Sequence, residues 1–219
     1  SCRTKDADAN AFITHMTLLM SAQLPVRFVA RSKPPVLPAW ASAWVNAPLR
    51  TEISTTQTTS RRAIASHYSI IEIDLAAASL DNAAQLEARV TEAYRLLQNA
   101  LQQSKQPHPI RVWNFVPSIH APMDDRRDRY MVFNVGRHHA MSQWFGAGDA
   151  TTLARNAPAA SGVGNDRDAF VVHALALPTP GTPIENPDQV PAYRYSKQYG
   201  PVPPCFSRAT KLSNGLLLI

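Results

Sequence analysis

Apolar residues recur most regularly between positions 81 and 101. Leu86, Val90, Ala93, Tyr94, Leu97 and Leu101 fall at steps of three and four, while Glu87, Arg89, Glu92 and Arg95 fall elsewhere around the wheel, so the spacing predicts an amphipathic helix. Asp81 is placed to cap its start, and Pro107 and Pro109 to close the unit. Upstream, AIASHYSIIEIDL at 63–75 is rich in β-branched residues and partly alternates, which predicts one strand with His67 as a structural histidine inside it. Downstream, IRVWNFV at 110–116 reads as another strand, and AFVVHALAL at 169–177 is apolar enough to sit in the middle of a sheet. LPVRFV at 24–29 gives a short first strand, and the hydroxyl-rich TEISTTQTTS at 51–60 an edge strand or a loop. A strand, a long helix and a further strand imply an α/β (mixed α+β) domain, a mixed sheet with helices packed on one face.

A second helix begins near Asp125. Tyr130, Phe133, Arg137, Met141 and Trp144 lie at helical spacing, so Tyr130 and Arg137 share a face about two turns apart. An unpaired guanidinium on an apolar stripe is costly to bury, so Arg137 requires an anion. Asp128 or Asp168 could supply it from within the chain, or a ligand carboxylate from outside. His138 and His139 are adjacent and point about 100° apart on a helix, with no third ligand at a sensible spacing, which excludes a zinc site. Residues 155–164 are rich in small side chains that let a backbone pass close to a neighbour or ligand. They lack the glycine patterns of phosphate and dinucleotide loops, which argues against kinase or hydride-transfer chemistry.

Composition changes this picture at a few points. A length of 219 residues suits one ordinary domain or two small ones, and 18 prolines, against a usual ~5% of residues, mean that loops carry much of the chain. The net charge of +6 and pI near 9.6 fit nucleic acid or a small anionic substrate. Basic residues interleaved with acids, as in DDRRDR at 124–129, argue against nucleic acid. No apolar run reaches the ~18 residues of a membrane span. Cys2 and Cys205 make neither a disulfide framework nor a metal motif, so the expected home is reducing and cytoplasmic, and Cys205, between Pro204 and Phe206, reads as a packing residue. Residues 1–19 read as an upstream extension, because Met20-Ser21-Ala22-Gln23 resembles a natural start. Trp40 and Trp44, four apart among prolines, are expected to pack on one face of a short helix or turn.

The densest chemistry lies in AYRYSKQYGPVPPCFSRAT at 192–210. Its prolines forbid a helix interior or central strand and predict a stiff, extended loop. Three tyrosines and Arg208 on such a loop suit an anionic organic ligand, through phenol donors and a guanidinium fork. A proline-rich connector whose tyrosines cover a core edge fits the same residues.

The pattern Y-x-x-x-Y-G-P-x-P-P-x-F-x-R-A-T in this loop resembles the signature of the chorismatases. DRYMVFNVGR from Asp128 resembles that family's D-R-Y-x-x-F-N-x-G-R segment, and ARNAPAASGVG from Ala154 its small-residue stretch, in the family's order along the second half of the chain. The resemblance implies a RidA-like (YjgF-like) fold and loss of the enolpyruvyl group of chorismate as pyruvate. The other product would be 3- or 4-hydroxybenzoate or a dihydroxycyclohexadiene carboxylate, in secondary metabolism such as pigment synthesis. No cofactor and no metal are expected. Tyr130, Arg137, Tyr195 and Arg208 would bind substrate, with Tyr199 and Phe206 along the pocket wall. The catalytic general acid would be a glutamate beyond Ile219. Residues 20–210 would then be an N-terminal RidA-like domain and 211–219, ending in the apolar GLLLI, the start of a second. The first would pack on the second, in a protein otherwise monomeric. An imine or enamine deaminase of the RidA type, and a non-catalytic binding domain for aromatic carboxylates, are the alternatives.

Overall fold

The computed structural model describes residues 50–54, 58–64, 68–76, 82–146, 150–165 and 169–219. The expected strand at 24–29, Trp40, Trp44, His67, Asp81 and Asp168 lie outside them. The first helix, α1 (Ala83–Gln102), is capped by Asn82, whose side chain accepts a hydrogen bond from the Gln85 amide. It buries the six residues that the spacing selected. Burial of that stripe, rather than helix propensity alone, holds the element in place.

Six strands form the main sheet: β1 (Arg50–Ser54), β2 (Thr58–Ile64), β3 (Ser69–Ala76), β4 (His108–Pro117), β5 (Ala159–Asn165) and β6 (Ala169–Leu177). Their spatial order is β1-β2-β3-β6-β4-β5. β6 is central, as its apolar sequence required. All pairs are antiparallel except β4 with β5, which are parallel. The connection between those two carries α2 (Arg129–Phe145) and α3 (Ala150–Asn156), the kind of crossover that parallel neighbours need.

Two boundaries differ from the sequence expectation. The stretch 63–75 is not one strand: β2 ends at Ile64, which pairs with Ser69 at the start of β3, so the two form an antiparallel hairpin. A run of β-branched residues carries no mark of where the chain doubles back. Pro109 lies inside β4 rather than ahead of it, at an irregularity in the β4–β6 register where a residue without an amide hydrogen is tolerated.

One face of the sheet presents Ile71, Ile73, Val112, Phe170 and Val172 to α1 and α2, and these make a single apolar core. The opposite face carries the alternate residues. There His173 Nε2 lies 2.9 Å from Glu72 Oε2, each side chain almost wholly buried, so an ionisable pair is held where neither partner could stand alone. A second sheet of β7 (Thr182–Ile184), β8 (Ala209–Lys211) and β9 (Leu217–Leu218) lies at the C-terminal side, antiparallel throughout.

The two long helices touch at Gly136. A Cβ there would lie 2.5 Å from the Glu87 carbonyl oxygen and 2.9 Å from Val90 Cβ. The Thr91 hydroxyl sits in the same contact, 2.8 Å from Glu87 O and 3.1 Å from Gly136 O. Backbone cannot yield as a side-chain tip can, so Gly136→Ala is expected to destabilise the fold by about 1–3 kcal/mol. Urea unfolding checks this: the midpoint falls while the slope stays that of the parent.

Candidate functional site

Helix α2 is bounded at both ends by its own chemistry. Asp128 caps it, accepting from the Met131 amide, and Gly146 ends it in the left-handed conformation with φ of 60°. Asp128 also lies 3.2 Å from His120 Nδ1. This internal carboxylate is therefore occupied at the cap, nine residues before Arg137, and is not the counter-charge that the sequence offered as one choice.

With those ends fixed, Tyr130, Asn134 and Arg137 fall on one face. Tyr130 is half-buried; its ring centroid lies 6.2 Å from that of Phe133, and its edge rests against β5. A Cβ on Gly162 would come within 3.2 Å of Tyr130 Cε2, so the small-residue stretch does bring the backbone close to a neighbour. Arg137 is 2% exposed. Its Cζ lies 5.5 Å from the centre of the Tyr94 ring, and its Nε and one terminal nitrogen have no hydrogen-bond partner among the described residues. Tyr94 is itself held by its hydroxyl, which donates to Asn114 Oδ1 at 2.6 Å. Asn134, 3% exposed, leaves both the nitrogen and the oxygen of its amide without a partner among the described residues.

The loop at 192–210 is less extended than its prolines suggested. Residues 192–194 and 197–199 each make one turn of 3-10 helix, and Ala209 and Thr210 belong to β8. Short turns close easily between prolines because each needs only one backbone bond. Within the loop, Arg208 donates from one terminal nitrogen to the Tyr195 hydroxyl at 2.6 Å and to the Val190 carbonyl at 3.1 Å. Its guanidinium also lies 5.3 Å from the Phe206 ring centre and 5.8 Å from that of Tyr195. Tyr199 leans on Tyr195 with centroids 6.0 Å apart and is 55% exposed.

Two clusters result. Arg208, Tyr195 and Phe206 are brought together by the loop, with Tyr199 on their outer side. Arg137 and Tyr130 share the face of α2 with Asn134. Cys205 links the two regions, since it is three residues from Arg208 and its thiol feels the Arg137 charge. Burial nevertheless pushes that thiol up to about 11, against which the guanidinium acts only in part.

Two residues near these clusters, Glu185 and Arg111, carried no mark in the sequence, and a third, Asn134, carried none beyond its place in the family pattern. Glu185 has both carboxylate oxygens buried, and that burial raises its pKa while the Arg208 charge opposes the rise. Asn134 is the fixed asparagine of D-R-Y-x-x-F-N-x-G-R, but the sequence assigned it no role. Arg111 is buried beside β5, donating to Val112 O, Ile219 O and the Ser161 hydroxyl. Burial first, and then the Arg137 charge, lower its pKa to about 10. Strand alternation puts Arg111 with Trp113 on the face away from α1 and α2, so it braces the sheet edge instead of joining Arg137.

A depression of about 500 Å³ runs between the approach to α2 and residues 197–201, lined by Asp124, Arg127, Met131 and Lys197 among others. Its Arg127 is already engaged by Asp124 at 2.6 Å, so it is a weaker anion site than Arg137. Among the described residues there is no cluster of three or more histidine, cysteine or acidic side chains suited to a metal, and no helix is long and apolar enough to cross a membrane.

Comparison with known proteins gives concordant matches. Residues 50–176 match the family described as Chorismatase FkbO/Hyg5-like, N-terminal. A 3-hydroxybenzoate synthase of Streptomyces hygroscopicus is 36% identical over 121 residues, covering 55% of this chain and 34% of that protein. A chorismatase of Streptomyces rapamycinicus is 38% identical over 108 residues, covering 49% of this chain and 30% of its own. A crystal structure of a chorismatase superposes with a TM-score of 0.57 at 27% identity, over 76% of this chain and 46% of that one. The matched part thus spans about a third of the curated relatives.

The surroundings of Cys205 set its reactivity. A thiol held near pKa 11 is protonated at pH 8 and poorly nucleophilic. Iodoacetamide should therefore label Cys205 at least roughly tenfold more slowly in the folded protein than in urea, with a rate still climbing above pH 9. Peptide mass spectrometry separates its adduct from that of Cys2.

Proposed function

The chain belongs to the FkbO/Hyg5-like chorismatase family through its N-terminal domain, and on that basis we propose that it supplies the chorismate-holding part of a pyruvate-releasing enzyme with a RidA-like fold. One observation carries this reading. Arg137 is enclosed to 2% exposure with guanidinium nitrogens unpaired among the described residues, and a dicarboxylate is the kind of ligand that would complete it. Arg208, half-buried and steadied by Tyr195, offers a second cationic centre. Tyr130 lies on the same helix face as Arg137, and Tyr199 and Phe206 form the outer wall.

The reaction is the hydrolytic loss of an enol ether. A general acid protonates the terminal methylene carbon, leaving an oxocarbenium-like centre beside the ether oxygen. Water adds to that centre and loses a proton, and the hemiketal collapses to pyruvate and the ring alcohol, which either remains a dihydroxycyclohexadiene carboxylate or loses water to become a hydroxybenzoate. Arginine stays charged at neutral pH and cannot be the acid, so Arg137 and Arg208 orient and neutralise the carboxylates. We assign the acid to a glutamate beyond Ile219, in a second RidA-like domain that begins near residue 211 and packs on this one. Turnover then belongs to the longer protein, and residues 1–219 alone release no pyruvate.

Chorismate incubated with the longer protein should yield pyruvate and a hydroxybenzoate or diene acid. Ammonia release from imino acids in place of pyruvate would sink the proposal. Arg137→Ala and Arg208→Ala should each weaken substrate binding by about ten- to hundredfold, the loss of roughly 1.5–3 kcal/mol of charged hydrogen bonds. A parental KM in both variants removes the pocket assignment. Glu185→Gln separates the two possible acids: the proposal expects turnover to survive, whereas abolished turnover with substrate still bound would move the proton donor to Glu185.

A further inference from the structure

Asn134 stands one helical turn before Arg137 and faces the same way. The residue is 3% exposed, and neither Nδ2 nor Oδ1 has a partner among the described residues. Burying both ends of an amide unpaired is a double penalty, since each forgoes its bonds to water. A leucine at this position would avoid the cost. The amide offers one donor and one acceptor side by side. A carboxylate needs only donors, which Arg137 already provides. A hydroxyl both donates and accepts, and is the group that uses the amide fully.

We propose that Asn134 is a specificity-determining residue that reads a ring hydroxyl while Arg137 holds the carboxylate, so that the pocket selects hydroxylated cyclic acids over acids of the same shape without the hydroxyl. This rests on the reading of Arg137 as a ligand-binding arginine. A site built to hydrogen-bond a hydroxyl rejects the analogue lacking it, because the polar groups of the site are then left buried and unpaired.

Calorimetric titration of the protein with benzoate, 3-hydroxybenzoate and 4-hydroxybenzoate tests it. The parent should bind at least one hydroxybenzoate roughly tenfold more tightly than benzoate, the worth of one buried neutral hydrogen bond. Asn134→Leu, which keeps the branching at Cγ and removes the amide, should collapse that ratio to about one, the loss falling on the hydroxybenzoate. If the ratio persists in Asn134→Leu while Arg137→Leu abolishes binding of all three acids, Asn134 does not read the hydroxyl and the Arg137 reading stands. If the parent binds none of them, or Arg137→Leu binds all three as the parent does, both readings fall. Asn134→Asp gives a check independent of Asn134→Leu folding. A carboxylate one turn from Arg137 should act as an internal counter-charge, raising the melting temperature and weakening all three acids. No rise in melting temperature together with undiminished binding would show that the two side chains do not share a pocket, and would overturn the proposal.

Discussion

A guanidinium removed from water has to be compensated. Arg137 is the place where this fold accepts that demand. The effective cost of burying such an ion is several kcal/mol. The Tyr94 ring beneath it returns on the order of 2 kcal/mol in a desolvated setting. The Asp128 carboxylate is used at the helix cap. Among the described residues the Arg137 Nε and one terminal nitrogen have no partner, and the proposed anionic ligand would supply one.

The parts around Arg137 serve to keep that demand in one position. Gly136 lets α2 lie against α1 at backbone distance, which sets Tyr94 under the guanidinium. The cap at Asp128 and the left-handed stop at Gly146 decide which residues of α2 turn toward β5. Gly162 then lets the Tyr130 ring rest on that strand. On the loop side, Arg208 has its direction fixed by a phenol and a carbonyl, so its side-chain hydrogen bonds go to neutral acceptors. These devices take few residues: three glycines, one capping aspartate and three tyrosines.

Much of this was legible before any coordinates. The stripe on α1, the face shared by Tyr130 and Arg137, the central place of β6 and the close approach at 155–164 all follow from spacing and side-chain size, which act locally. The family resemblance in the second half of the chain agrees with the matches found for the domain. What escaped depended on partners far away in sequence. The β2–β3 turn was hidden within a uniform run of strand formers. Glu185 looks unremarkable until the fold buries it, Asn134 stood in the family pattern without a role, and Arg111 is distinguished only by acceptors 50 and 108 residues away. Pro109 misled for a related reason, because the register irregularity that accommodates it belongs to the pairing of two strands and not to either alone.

The two arginine centres also differ in what they can contribute to recognition. Arg208 is half-buried and has Glu185 within electrostatic reach, so part of its attraction for an anion is already spent inside the protein and the remainder is tempered by solvent. Arg137 is shielded on all sides, and charge pairing there is worth more per contact because the surroundings screen it less. A dicarboxylate lying across both would owe its attraction toward the pocket to the outer centre, and most of its discrimination to the inner one, where the wrong group leaves a buried charge or amide unpaired. Selectivity in the proposed site would follow from depth rather than from the number of cationic residues, since an enclosed arginine and an amide unpaired among the described residues each penalise a ligand that fails to match them.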